Sequence, residues 1–408
     1  MSELYKLPVG WGWKTLDSIS SIVGGGTPKR NIREYWENGN IVWLSPTDLG
    51  NIGEISEVSS SKDMITKLGL DKSSAKLLPI GTVSYSSRAT IGKIAINEIE
   101  VSTNQGFTNF ICNDDLYNYY LAYCLSNFTN DIVSLSNSTT FKEVSKSSFK
   151  SFQIPLPPLA EQKRIVAKLD NLFEKIDKAI ELHQQNITNA NTLMASTLDK
   201  TFKKLEGEYS YKNLKDITIK IGSGATPKGG QKAYKQEGIS LIRSMNVHDM
   251  GFTKKGLVFI DDSQADKLKN VIVEKGDVLL NITGASVARC CVVCESVLPA
   301  RVNQHVSIIR LHDSFISKFL YYYLISPMKK TELLFSSSGG ATREAITKSM
   351  IENFQVPDIS LPVQQQTVEY LDSIATKVDK IKQLNEQKLE NLKALKASIL
   401  DKAFRGEL

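Results

Sequence analysis

The sequence is poor in the residues from which enzymes usually build their chemistry. There are four histidines and five cysteines in 408 residues. His183, His248, His305 and His312 fall at no metal-ligand spacing, and His183 lies near an apolar stripe, where packing accounts for it. Cys290, Cys291 and Cys294 cluster in "ARCCVVCESV". No second pair and no nearby histidine accompanies them, so they read as strand residues rather than as ligands of zinc, which takes four. An odd, scattered cysteine count suits a reducing compartment. No apolar run approaches the roughly 20 residues that span a bilayer. The opening "MSELYKLPVGWGW" has neither the basic start nor the apolar stretch of a secretory signal. A cytoplasmic protein is expected.

Catalytic motifs are missing too. "GGGTPKR" and "ATIGKIA" lack the G-x-x-x-x-G-K-[ST] spacing of a phosphate-binding loop. There is no Gly-x-Ser-x-Gly elbow and no Asn/Asp-Pro-Pro-aromatic motif of the kind methyltransferases use. The "EQK" triplets at 161–163 and 386–388 lack the upstream aspartates a metal-dependent nuclease would need. The chain is expected to carry no catalytic residue, no metal and no cofactor of its own.

What the sequence does contain is a repeat. Asp170 and Asp372 lie 202 positions apart, and the same offset pairs Phe152-Gln153 with Phe354-Gln355, Leu169-Asp170 with Leu371-Asp372, and "LDKTF" (198–202) with "LDKAF" (400–404). With small shifts, "GGTPK" (25–29) answers "GATPK" (224–228), Asn104-Gln105 answers Asn303-Gln304, and "WKTL" (13–16) answers "YKNL" (211–214). The chain is therefore two copies of one unit. Each has a variable part of about 150 residues and a well-matched part of about 50, giving segments 1–155, 156–207, 208–357 and 358–408.

The matched parts predict long helices. Ile165, Leu169, Leu172, Ile176, Ile180, Ile187, Met194 and Leu198 recur at spacings of three and four, as do Val368, Leu371, Val378, Ile381, Leu392, Leu395 and Ile399. Prolines 157, 158 and 362 stand where a first turn tolerates them, and Gly207 and Gly406 mark the far ends. At 1.5 Å per residue, about 45 residues make a rod of about 68 Å. One narrow stripe on such a rod needs a partner, and the other copy is the obvious one, so an antiparallel coiled coil is expected. The variable parts hold short β-like runs ("KIAINEIEV", "GDVLLNI", "VSIIRL") with short helices between, a mixed α/β texture. "FRGEL" at one end and "WGWKTL" at the other, if joined, would recreate the internal junction "FKKLEGEYSYKNL". The pattern is a ring of two units cut at one junction, with pseudo-two-fold organisation.

The net charge of +6 falls almost entirely in residues 208–357, a mild pointer to a polyanion. Two related but non-identical heads on a stiff spacer suit the reading of two different short patterns at a fixed separation, as paired modules do on DNA.

Along its whole length the chain resembles the specificity subunit of type I restriction-modification systems. The resemblance is carried by "PLPPLAEQKRIVAKLD" and its weaker copy, by "SILDKAFRGEL", by "GGGTPKRNIREYWENGNIVWLSPTDL", and by "GDVLLNITGASVARC" with "VNQHVSIIRL". It implies two target-recognition domains that read a split, asymmetric site in double-stranded DNA. It also implies a helical scaffold docking two methyltransferase subunits, with restriction subunits joined through them. S-adenosylmethionine, ATP and Mg2+ would belong to those partners. In the second copy Lys163-Arg164 becomes Gln365-Gln366, so the two docking surfaces need not be equal. A DNA-bridging regulator or an anti-restriction decoy without a methyltransferase partner is the rival reading.

Base readers are expected among donors and acceptors on loops. In the first head these are Thr27, Lys29, Arg30, Arg33, Ser86, Ser87, Arg88, Thr140 and Lys142. In the second they are Thr226, Lys228, Gln231, Lys232, Arg243, Asn281 and Thr283 of the "NITGAS" turn, Arg289, Thr342 and Arg343. Trp36 and Trp43 are expected in the core.

Overall fold

Glycine is absent from each matched segment until its far end, and proline from all but its opening residues, so nothing interrupts a helix. In a computed structural model of the chain, which describes residues 5–136, 142–227, 229–337 and 345–408, the first long helix runs Leu159–Glu208 and the second Leu361–Arg405, so Pro362 stands in a first turn as expected while Pro157 and Pro158 precede their helix. Two compact units share them. One is Met1–His183 with Gln387–Leu408, the other Gln184–Glu386.

In the first unit, a five-stranded sheet runs in the order Ser20–Gly24, Phe107–Cys112, Val83–Ser86, Ile94–Asn97, Ile55–Val58. Neighbours are antiparallel except the last pair. A second sheet pairs Ile41–Leu44 antiparallel with Asp63–Ile65 and parallel with Val101–Thr103. Trp43 is buried as expected, with Trp36 edge-on to it. The helix Asn118–Asn127 presses Tyr120, Leu121 and Leu125 into the core. In the second unit the corresponding sheets run Thr218–Ser223, Val306–Leu311, Val278–Asn281, Cys290–Val292, and Val258–Ile260, Ile239–Ile242, Ala300–Val302, Ile272–Val273. Cys290 and Cys291 are buried strand residues, and burial pushes the Cys291 thiol up to about 12.

Head and helix form one core in each unit. Ile165, Leu169 and Ile176 join Tyr120, Phe149 and Phe404 in the first, while Leu198, Phe202 and Leu371 join Phe319 and Tyr323 in the second. In the first unit the start of one long helix thus packs with the end of the other, and in the second the end with the start; the two run antiparallel. Asp177 meets Lys396 at 2.7 Å in the first unit, and the Asn186 amide donates to Asn385 Oδ1 at 3.4 Å in the second. Val378 is buried, while Ile180, Ile187, Met194, Leu392 and Ile399 are half-buried.

Two stripe positions differ from expectation. Ile381 and Leu395 are exposed. Each stands three residues beyond a seam residue, Val378 or Leu392, and a step of three turns a helix about 60° short of a full circle. A two-helix seam is too narrow to cover such positions.

A repeated clamp fixes each helix start to its head. Buried Gln162 donates through Nε2 to the carbonyls of Pro157 (2.9 Å) and Asp115 (2.8 Å) and accepts from the Tyr117 amide (2.8 Å). Gln364 does the same with Ile359, Ser314 and Ile316 at 2.9, 3.1 and 2.7 Å. Tyr123 and Tyr322 donate to Asp170 and Asp372, each at 2.6 Å. Burial first, and then those carboxylates, hold both phenols well above their usual pKa.

Candidate nucleic-acid interface

Four chain segments converge in each head. In the first they are the turn 25–29, the loop after Val83–Ser86, the turn 104–106 and the segment 142–144. Backbone hydrogen bonds tie them: Gly26 N to Thr103 O (2.8 Å), Ser87 N to Gly106 O (2.7 Å), Val144 N to Ser87 O (3.0 Å) and Ala89 N to Lys142 O (3.2 Å). In the second the ties are Gly224 N to Asn303 O (3.1 Å), Ile282 N to His305 O (2.9 Å) and Ile346 N to Ile282 O (2.8 Å). Arg88 bridges to Glu143 at the place where Thr283 bridges to Ala345.

The repeated glycines have a steric cause. A Cβ on Gly25 would lie 1.8 Å from the Asn104 carbonyl oxygen, and one on Gly224 would lie 1.7 Å from that of Val302. Only glycine lets the turn sit against the Asn-Gln turn. Asn104 and Asn303 shape that second turn, their Oδ1 atoms accepting from Gly106 N (2.8 Å) and His305 N (3.0 Å). The Thr27 hydroxyl then donates to the Gln105 side-chain carbonyl, and the Thr226 hydroxyl to that of Gln304.

The structure brings Thr27, Arg88 and Lys142 together in the first head. Arg88 also pairs with the Glu143 carboxylate at 2.7 Å. In the second head Thr283 and Arg289 line a cleft of about 730 Å3 with Ser244, Gln304 and His305, and the Thr283 hydroxyl lies 2.5 Å from His305 Nδ1. Other expected readers are engaged elsewhere. Arg30 pairs with Asp63 at 2.6 Å and stacks over Trp36 at 3.9 Å, the Lys29 carbonyl accepts from Trp36 Nε1, and Arg33 pairs with Glu37 at 3.5 Å. Gln231 and Lys232 occupy the single turn Gly230–Ala233. Arg243 donates to the Gly256 carbonyl at 2.6 Å and stacks on Tyr234 at 5.3 Å. Thr140, Lys228, Thr342 and Arg343 lie outside the described residues.

Three expected readers need correction. Ser86, Ser87 and Asn281 are buried, not displayed on loops. Ser86 Oγ donates to the Thr90 carbonyl (2.6 Å), Ser87 Oγ to that of Gly106 (3.2 Å), and Asn281 Nδ2 to that of Ser244 (2.9 Å). They hold the loops in place, because a buried polar side chain at a strand end is retained where it satisfies the departing backbone. Gln105, Gln304 and His305 were not expected at the site. The matched Asn-Gln pairs were the available signal for the two glutamines.

The class of protein this defines has two like α/β heads, each built onto the same two long helices and each tying the same four segments together. The chain belongs to the type I restriction-modification DNA specificity domain family, which it matches over residues 8–190 and 206–393. It is similar to the MjaIX type I restriction enzyme specificity subunit of Methanocaldococcus jannaschii, 26% identical over 100% of this chain and 95% of that one. It is 34% identical to the EcoR124I/EcoR124II specificity subunit of Escherichia coli over 45% of this chain and 48% of that one. A chain solved in work on complex assembly and conformational transition of the type I restriction-modification system shares the fold, with a TM-score of 0.79 at 24% identity over 99% of this chain and 100% of that chain. The HsdS subunit from Thermoanaerobacter tengcongensis does so with a TM-score of 0.60 at 23% identity, over 100% of this chain and 99% of that chain. No helix among the described residues is long and apolar enough to cross a membrane.

Proposed function

We propose that this chain is the DNA-specificity subunit of a type I restriction-modification complex. It reads a split, asymmetric duplex target, one half-site per head. Its long helices dock two methyltransferase subunits, and restriction subunits join through these. The chain itself is non-catalytic and works in the cytoplasm, with S-adenosylmethionine, ATP and Mg2+ bound by its partners. Among the described residues no group of three or more His, Cys, Asp or Glu side chains could hold a metal ion.

The observation that carries this reading is the four-segment junction built twice. Both heads tie the same four segments together, yet the chemistry at corresponding positions differs, as at Arg88 and Thr283. Two junctions with one architecture and different side chains suit two different half-sites. Methylome sequencing of cells with and without the gene tests it, alongside co-purification of a methyltransferase subunit. A gapped, asymmetric methylated motif that vanishes with the gene is expected. An unchanged methylome in cells that express the chain with its neighbouring methyltransferase would refute it.

A further inference from the structure

Resting on that reading, we propose that the Thr27–Gln105 and Thr226–Gln304 bridges hold the DNA sugar-phosphate backbone, while the position of Arg88 and Thr283 faces base edges. Each bridge joins a Gly-x-Thr-Pro turn to an Asn-Gln turn across 78 residues of chain. The residue types, the partner atoms and the supporting Asx turn are the same in both heads. Parts that are alike in both heads cannot encode the difference between two half-sites. The feature that every half-site shares is the phosphate backbone, to which Thr, Gln and backbone N–H groups are common donors.

The chemistry of the bridge agrees. The threonine hydroxyl takes one lone pair of the glutamine carbonyl, and the exposed glutamine keeps amide N–H to donate, although in the second head Gln304 Nε2 already lies 3.1 Å from His305 Nε2. A phosphate oxygen is an acceptor only. The turn is also held before DNA arrives, since Gly25 and Gly224 leave no room for it to shift toward its neighbour. An anchor set in advance loses less entropy on binding. The Arg88/Thr283 position is framed by the same backbone ties, but it carries a forked cation in one head and a small hydroxyl in the other. Groups so unlike at one place suit unlike base edges.

The test uses the full chain with its methyltransferase, a duplex carrying the motif found by methylome sequencing, and a scrambled duplex of equal length. Gln105→Ala and Gln304→Ala should each weaken binding to both duplexes by the same factor, about tenfold, for one hydrogen bond to an anionic acceptor. The ratio between duplexes, the slope of affinity against salt and the methylated motif should not move, because no cation is lost. Gln105→Glu, of equal size, should weaken binding more than alanine does by placing a carboxylate against phosphate. Arg88→Ala should relax the motif at one position of one half-site. A Gln105→Ala protein that melts like the parent yet changes the motif, or binds both duplexes as the parent does, overturns the inference. A parent that directs no methylation refutes the specificity-subunit reading instead.

Discussion

Replacing Gln162 by alanine tests the idea that one buried amide fastens the first long helix to its head. The side chain makes three hydrogen bonds of 2.8 to 2.9 Å and is fully buried. At about 1 kcal/mol each, their loss amounts to about 3 kcal/mol. For a unit of about 200 residues, each kcal/mol lowers Tm by about 2–4 °C, so a fall of roughly 6–12 °C is expected in the calorimetric transition. Hydrogen exchange supplies the local readout, since the Tyr117 amide loses its acceptor and should exchange with its neighbours' solvent-exposed amides. Gln162→Glu refines the test. It keeps an acceptor for Tyr117 but turns a carboxylate oxygen toward the carbonyls of Pro157 and Asp115. Burial and those oxygens should raise the folded-state pKa of the new carboxyl. A raised pKa means that stability present at low pH is lost as pH rises through the folded value, so this variant should weaken from acid toward neutral pH while the alanine variant does not. An alanine variant that melts with the parent and keeps Tyr117 protected would refute the clamp.

Phe202→Ala and Phe404→Ala remove equivalent, fully buried rings and should each cost about 3–5 kcal/mol by calorimetry. Cys294 should react first with a thiol reagent in the native chain, because hydrogen bonds from Ser296 lower its pKa, while burial raises those of Cys124 and Cys290; mass spectrometry of early adducts checks the order. Joining Leu408 to Met1 by a short linker and opening the chain near Gly207 should preserve methylation in cells. The Tyr5 hydroxyl already donates to the Phe404 carbonyl at 2.9 Å, so the two ends meet within one unit; loss of methylation by a folded permutant would contradict this. The purified chain should show no methyltransferase, nuclease or ATPase turnover, and turnover abolished by a point mutation in this chain would refute that expectation.

The sequence by itself determined the repeat, the two long helices and the mixed texture of the heads. These are local properties. A 3.6-residue apolar period without glycine or proline specifies a helix wherever it occurs, and a gapless 202-residue offset between Leu169-Asp170 and Leu371-Asp372 leaves both helices in the same register to their heads. It also supplied residues of the junctions, in the matched Gly-x-Thr-Pro and Asn-Gln pairs. What it did not contain was which donors face outward. Ser86, Ser87 and Asn281 look like Arg88 and Thr283 on a loop, but their side chains turn inward onto the carbonyls of Thr90, Gly106 and Ser244, acceptors that only the closed loops bring within reach. Whether a stripe residue meets its partner was likewise undecided: Val378 is buried and Ile381 exposed on one helix because the breadth of the seam depends on what the other helix and the head present. The clamp of Gln162 and the bridge of Thr27 to Gln105 join residues tens of positions apart, and only the closed chain sets their distances.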